Sequence, residues 1–85
     1  MKESEIKNAI EQRVQSAETK KYSIWTIGVT DDPDRRKIEH GDPKYWMQWR
    51  ADTETIARNV EKYFIEKGMN GATGGGEHPN YVYIF

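Results

Sequence analysis

Two periodicities divide the chain into predicted helices and strands. Hydrophobic residues three and four positions apart predict one amphipathic helix at residues 3–18 and another that begins at Asp52 or Thr53 and ends at Gly68. The hydrophobic positions are Ile6, Ala9, Ile10, Val14 and Ala17 in the first helix, and Ile56, Val60 and Phe64 in the second. Each helix is therefore expected to pack one face against the rest of the domain.

Aromatic and β-branched residues, partly in alternation with polar ones, predict three strands, at residues 22–30, 44–51 and 81–85. A short helix is predicted between the first two strands, because Asp32 is a favourable N-cap and Pro33 suits the first helical position. Residues 68–80 carry five of the seven glycines and are predicted to form a loop. The sequence thus predicts a single α/β domain over residues 1–85, in which two or three helices pack on a three-stranded sheet.

The composition limits the core and the classes of function. Only 35% of the 85 residues are hydrophobic, so the three Trp, five Tyr and two Phe residues must supply much of the core. The absence of cysteine excludes disulfides and thiolate metal sites. Since no long apolar segment is present, we expect a cytoplasmic monomer without a membrane partner. The net charge of -1 means that nucleic-acid binding would need a local basic patch.

The predicted short helix contains a candidate phosphate site. Arg36 and His40 are four residues apart and share one face of that helix, where the guanidinium and the free backbone N–H groups of the first turn could receive a phosphate. An alternative interpretation is that Arg35, Arg36 and Lys37 form a solvated face that neighbouring acidic residues neutralise. Both interpretations remain open from the residues alone.

Glu61 is a second candidate, because it lies at the edge of the hydrophobic stripe of the last helix. A carboxylate in that position needs a partner, which could be a lysine, an arginine or a metal ion. The alternative is that Glu61 extends its carboxylate into solvent, as glutamates at the edge of small amphipathic helices usually do.

The stretch "TIGVTDDPDRRKIEH", residues 26–40, resembles the second half of the GIY-YIG nuclease signature. The matching residues are Ile27 and Gly28 in the Tyr-Ile-Gly-type triplet, Thr30 and Asp32 in the turn, and Arg36 and His40 on the helix. Farther along, Ala57, Val60 and Glu61 match the helix that carries the family's metal-binding glutamate. The resemblance covers about residues 22–68 and implies a mostly antiparallel sheet.

The chain departs from that signature in two ways. Thr26 replaces the tyrosine of the triplet, and the preceding strand with its own tyrosine is missing from the N-terminal side. The C-terminal strand could fill the missing strand's place, as in a circular permutation, with Tyr81 or Tyr83 providing the phenol. Alternatively, these tyrosines simply alternate across a short strand.

The resemblance implies roles for the matched residues. Arg36 would stabilise the charge of the phosphoryl transition state, and Glu61 would hold a divalent metal, Mg²⁺ by expectation. The general base has no matched residue: Tyr22, Tyr81 and Tyr83 are candidates by position, and His40 could orient one of them or contact phosphate. A site without its base would be a slow or inactive nuclease.

Trp46 and Arg50 share one face of the second predicted strand and suit a ligand or partner, so we place them with Arg35 and Lys37 as candidate nucleic-acid contacts. The leading hypothesis is a nucleic-acid-binding domain with metal-dependent phosphodiester cleavage. The alternative is a noncatalytic module that retains only the fold and binds a protein or a nucleic acid. The sequence leaves open whether the chain is an enzyme.

Overall fold

Three helices and a four-stranded sheet form the fold in a computed structural model that describes residues 1–72 and 76–85. In chain order, the elements are α1 (Glu3–Ser16), a short 3₁₀ helix (Tyr22–Ile24), β1 (Thr26–Thr30), α2 (Pro33–Glu39), β2 (Met47–Arg50), α3 (Glu54–Glu66), β3 (Asn70–Gly71) and β4 (Tyr81–Ile84). The predicted class, a small α/β domain, is confirmed, and the sheet has one strand more than the sequence predicts.

The strands lie side by side in the order β2-β4-β1-β3. The C-terminal strand β4 is therefore central and pairs antiparallel with both β1 and β2, whereas β3 pairs parallel with β1. The additional strand β3 falls inside the predicted loop at 68–80, and residues 73–75 of that loop lie outside the described residues. The mixed sheet is thus mostly antiparallel, as expected.

Local hydrogen bonds explain where the elements begin. The first strand starts at Thr26 and not at residue 22, because the Trp25 N–H donates to the Tyr22 carbonyl at 3.0 Å and closes a 3₁₀ turn. Helix α3 begins after Thr53, whose hydroxyl accepts the Ile56 N–H at 3.1 Å. The carboxylate of Asp52, the other candidate N-cap, instead accepts a hydrogen bond from the amino group of Met1 at 2.7 Å.

The hydrophobic core lies on one face of the sheet. Helices α1 and α3 pack against each other, and α3 also packs against β1 and β4. The fully buried core residues include Ile6, Ile10 and Val14 from α1, Val60 and Phe64 from α3, and Ile27, Val82 and Ile84 from the sheet. Within the described residues, no helix is long and apolar enough to cross a membrane.

Candidate functional site

Tyr83 lies at the centre of the sheet, on the face opposite the hydrophobic core. It is directly opposite Gly28 on one side and Gln48 on the other, and it alternates with the core residues Val82 and Ile84 along β4. A Cβ atom at position 28 would collide with the hydroxyl and ring of Tyr83. Gly28 therefore leaves the room that the phenol occupies over β1.

The turn after β1 brings helix α2 to this phenol. Thr30, fully buried at the end of β1, accepts the Asp32 N–H at 3.0 Å, and the Asp32 carboxylate caps α2 by accepting the Arg35 N–H at 3.1 Å. The helix that starts there carries Arg36 in its interior, and His40 is its C-cap. Sheet and helix thus fix the three side chains of the site relative to one another.

The Tyr83 hydroxyl is in hydrogen-bond contact with both side chains. The Arg36 Nε–H donates to the Tyr83 oxygen at 3.3 Å, and His40 Nε2 lies 3.0 Å from the same oxygen. Arg36 also pairs with the Glu39 carboxylate at 3.3 Å. Because the oxygen already accepts from Arg36, its own proton can be donated to His40 when Nε2 carries no hydrogen. We call Arg36, His40 and Tyr83 the phenol cluster.

The electrostatic environment keeps the phenol cluster in defined protonation states. The hydrogen bond to Tyr83 raises the pKa of Arg36, so that the guanidinium stays charged. Burial, reinforced by the neighbouring Arg36, lowers the pKa of His40 below its ordinary value of 6.5. Burial raises the pKa of Tyr83, although Arg36 opposes this effect. At neutral pH the cluster therefore contains a cation, a neutral imidazole and a neutral phenol.

Glu61, on α3, also acts on this phenol. Its negative charge contributes to the raised pKa of Tyr83, after the larger effect of burial. Burial also raises the pKa of Glu61 itself, and Arg58 partly opposes that shift. In the part of the chain that the structure describes, the half-buried Glu61 carboxylate makes neither a hydrogen bond nor an ion pair. It is therefore a carboxylate that a cation would stabilise.

An oxygen ligand of this kind fits Mg²⁺, which binds proteins through one or two carboxylates and retains several waters. Among the described residues, no group of three or more His, Cys, Asp and Glu side chains surrounds a common point. A dedicated cage of protein ligands is thus not formed by those residues, whereas a single carboxylate with water ligands is compatible with them.

Two aromatic rings cover the phenol cluster. The Trp46 ring stacks on Tyr83 with centroids 4.3 Å apart and planes at 10°, and it also lies parallel to Phe85 at 5.7 Å. Phe85 contacts the His40 ring at 4.9 Å, and the Trp46 indole N–H donates to Gln48 at 2.8 Å. As a result, Tyr83 has 0% of its surface exposed.

The structure does not bring every candidate residue to Tyr83. Tyr22 lies against Phe64 of the core, with ring centroids 6.0 Å apart. Arg35 is exposed and pairs with Asp31 at 3.1 Å, as the solvated-face interpretation of α2 expects. Lys37 is partly exposed and pairs with Asp42, and Arg50 is exposed at the end of β2.

The sequence reasoning missed the contribution of Phe85. The signal was present, because Phe85 is two residues from Tyr83 and therefore projects from the same face of the chain. Trp46 stacks on Tyr83 and is partly exposed, and its contact with a nucleic acid stays a prediction.

Comparisons with known proteins do not assign this cluster. No protein family, curated protein or solved structure gives a significant match to the chain.

Proposed function

We propose that the chain hydrolyses a nucleic-acid phosphodiester bond with the help of a divalent cation, using a site related to that of GIY-YIG nucleases. The observation that carries this proposal is the contact of one phenol oxygen with both Arg36 and His40. In this interpretation, Tyr83 of the central C-terminal strand replaces the tyrosine that the N-terminal side of the chain lacks. The antiparallel pairing of β4 with β1 supports the permuted arrangement.

The protonation states support a two-step proton relay. A neutral Tyr83 cannot act as a base until it loses its own proton, and His40 Nε2 is the neutral acceptor 3.0 Å away. As a water oxygen attacks phosphorus and the bond from phosphorus to the leaving oxygen breaks, one water proton passes to the Tyr83 oxygen and the phenol proton passes to His40. This relay requires the His40 tautomer in which Nδ1 carries the hydrogen.

Arg36 and Glu61 handle the charges of the reaction. Arg36 remains protonated and stabilises the negative charge that builds on the phosphoryl oxygens. Glu61 is the residue that would hold Mg²⁺, because its half-buried carboxylate has no hydrogen bond or ion pair among the described residues and its charge contributes to the raised pKa of Tyr83. When bound, the cation stabilises negative charge on the leaving oxygen.

The test is cleavage of supercoiled plasmid and of single-stranded and branched DNA with Mg²⁺ or Mn²⁺. Arg36→Ala, Glu61→Gln and Tyr83→Phe should each abolish or strongly reduce cleavage. The matched controls are Lys62→Ala, which removes an exposed positive charge from α3, and Glu66→Gln, which removes the charge of an exposed carboxylate of α3. Absence of cleavage by folded wild type on every substrate would overturn the proposal, as would equal activity of the site variants and their controls.

A second candidate is favoured by the complete burial of Tyr83 beneath Trp46 and Phe85. In that case the domain is a noncatalytic binding module, and the phenol cluster is a structural hydrogen-bond network. Binding of an oligonucleotide that the Arg50→Gln and Lys37→Gln variants weaken, without cleavage under any metal condition, would support this candidate.

A further inference from the structure

A cavity of about 400 Å³ lies beside the phenol cluster and plays no part in the chemistry described above. Phe85 connects the two: it contacts the His40 and Trp46 rings and also lines the cavity. Trp25, just before β1, and Tyr45, just before β2, also line the cavity. The cavity volume is within the range of small-molecule sites.

Apolar and aromatic groups dominate the mouth of this cavity. Tyr45 is 63% exposed and Ile24 is 59% exposed, although both are large hydrophobic residues. Trp25 also lines the cavity, and aromatic walls of this kind suit a flat aromatic ligand that can stack on them.

Positive charges flank the aromatic walls. The Arg13 guanidinium lies 4.9 Å from the Trp25 ring centroid, and the Lys44 ammonium lies 5.5 Å from the Tyr45 ring centroid. Neither cation forms an ion pair with any of the described residues. Among the residues that line the cavity, Glu18 is the acidic one. The balance at the mouth thus favours an anionic group attached to the aromatic ligand.

We propose that this cavity receives an unstacked base of a single-stranded nucleic acid, with Arg13 and Lys44 contacting the flanking phosphates. The inference rests on the proposed function, because Phe85 places the base next to the residues that would act on the adjoining phosphodiester. Aromatic walls with cations at the rim are the usual means of binding unstacked bases without sequence preference. The preferred substrate class is therefore a single strand, or a duplex with a displaced base.

Fluorescence anisotropy with labelled oligothymidine, and with an abasic strand of the same length, tests the base pocket separately from cleavage. EDTA is present so that no hydrolysis occurs. Wild type should bind oligothymidine more tightly than the abasic strand, since both carry the same phosphates and only one carries bases. Tyr45→Ala should weaken oligothymidine binding about 5- to 150-fold and leave abasic binding unchanged.

Two further variants keep this test specific. Tyr45→Phe retains the ring and should bind as wild type does, which excludes a general effect of substitution at that position. Arg13→Gln should weaken binding of both strands more than Lys62→Gln, which removes the same charge from an exposed site on α3 that does not line the cavity.

The outcomes separate the two proposals. Equal affinity of wild type for the two strands, or an unaffected Tyr45→Ala variant, would overturn the base pocket even if the protein cleaves DNA. Tyr45-dependent preference for oligothymidine without cleavage on any substrate would support the pocket and overturn the hydrolytic proposal alone.

Discussion

Replacing Tyr83 with phenylalanine removes one hydroxyl and leaves the stacked ring in place. The hydroxyl makes the 3.0 Å contact with His40 and the 3.3 Å contact with Arg36. A neutral hydrogen bond contributes about 1 kcal/mol net, and one to a charged group contributes about 1.5 kcal/mol or more. The second contact is longer than the usual range for N–H···O bonds, so its contribution lies at the low end. We therefore expect Tyr83→Phe to lower the free energy of unfolding by about 2 kcal/mol.

Thermal unfolding followed by circular dichroism measures this loss. For a domain of this size, 2 kcal/mol corresponds to a fall in Tm of about 8 to 16 °C. Tyr45→Phe is the matched control, because Tyr45 is 63% exposed and its hydroxyl has no hydrogen-bond partner among the described residues. It should change stability by less than about 0.5 kcal/mol.

Equal stability of Tyr83→Phe and Tyr45→Phe would contradict this expectation. The hydroxyl would then not be engaged with Arg36 and His40 in solution, and the proton relay would lose its basis. A double-mutant cycle between Tyr83→Phe and His40→Gln gives an independent check, since residues that share a hydrogen bond should be non-additive by about 0.5 kcal/mol or more.

The contacts around Tyr83 also determine the effects of changing Gly28, His40 and Trp46. Gly28→Ala should lower the free energy of unfolding in urea by about 1 to 3 kcal/mol, because the added methyl group overlaps Tyr83. Gly71→Ala should lower it less, because the methyl group there meets only the end of a flexible side chain, and equal decreases would contradict this packing. As pH falls through 6.5, unfolded chains protonate His40 before folded ones do, so wild type should lose stability relative to His40→Gln; parallel stability–pH curves would contradict the lowered pKa. Trp46→Ala should increase the rate of DNA cleavage, because Trp46 covers the Tyr83 phenol that the attacking water must reach. Unchanged or slower cleavage by a folded variant would show that Trp46 does not obstruct the site.

Elements with strong local signals could be predicted from the sequence. Helix α2 begins where Asp32 and Pro33 indicate, because capping and a fixed φ angle act within a few residues. The short strand β3 could not be predicted, since Asn70 and Gly71 disfavour strands and are held in one only by pairing with β1. Its existence depends on a contact between residues more than forty positions apart.

The candidate site could be predicted only where a local sequence signal specifies it. A spacing of four residues indicates that Arg36 and His40 share a helix face, and both contact a single hydroxyl in the structure. Which tyrosine they meet depends on the register of β4 against β1, which pairs Tyr83 and not Tyr81 with Gly28. Local sequence does not determine that register, so the two tyrosines could not be distinguished beforehand.

Tyr83 is fully buried although it lies on the face of the sheet opposite the hydrophobic core, so its contributions to stability and to activity must be separated quantitatively. A domain of 85 residues has about 4 to 13 kcal/mol of stability. Even at the lower limit, Tyr83→Phe retains about 2 kcal/mol, which leaves roughly 97% of the molecules folded. Destabilisation alone therefore removes only a few per cent of the activity, about 3%. Loss of a proton-transfer group reduces the rate by a factor of about 10² to 10⁴. A decrease of that size in Tyr83→Phe, with the folded fraction measured at the assay temperature, would identify the phenol as a chemical participant and not merely as a buried ring.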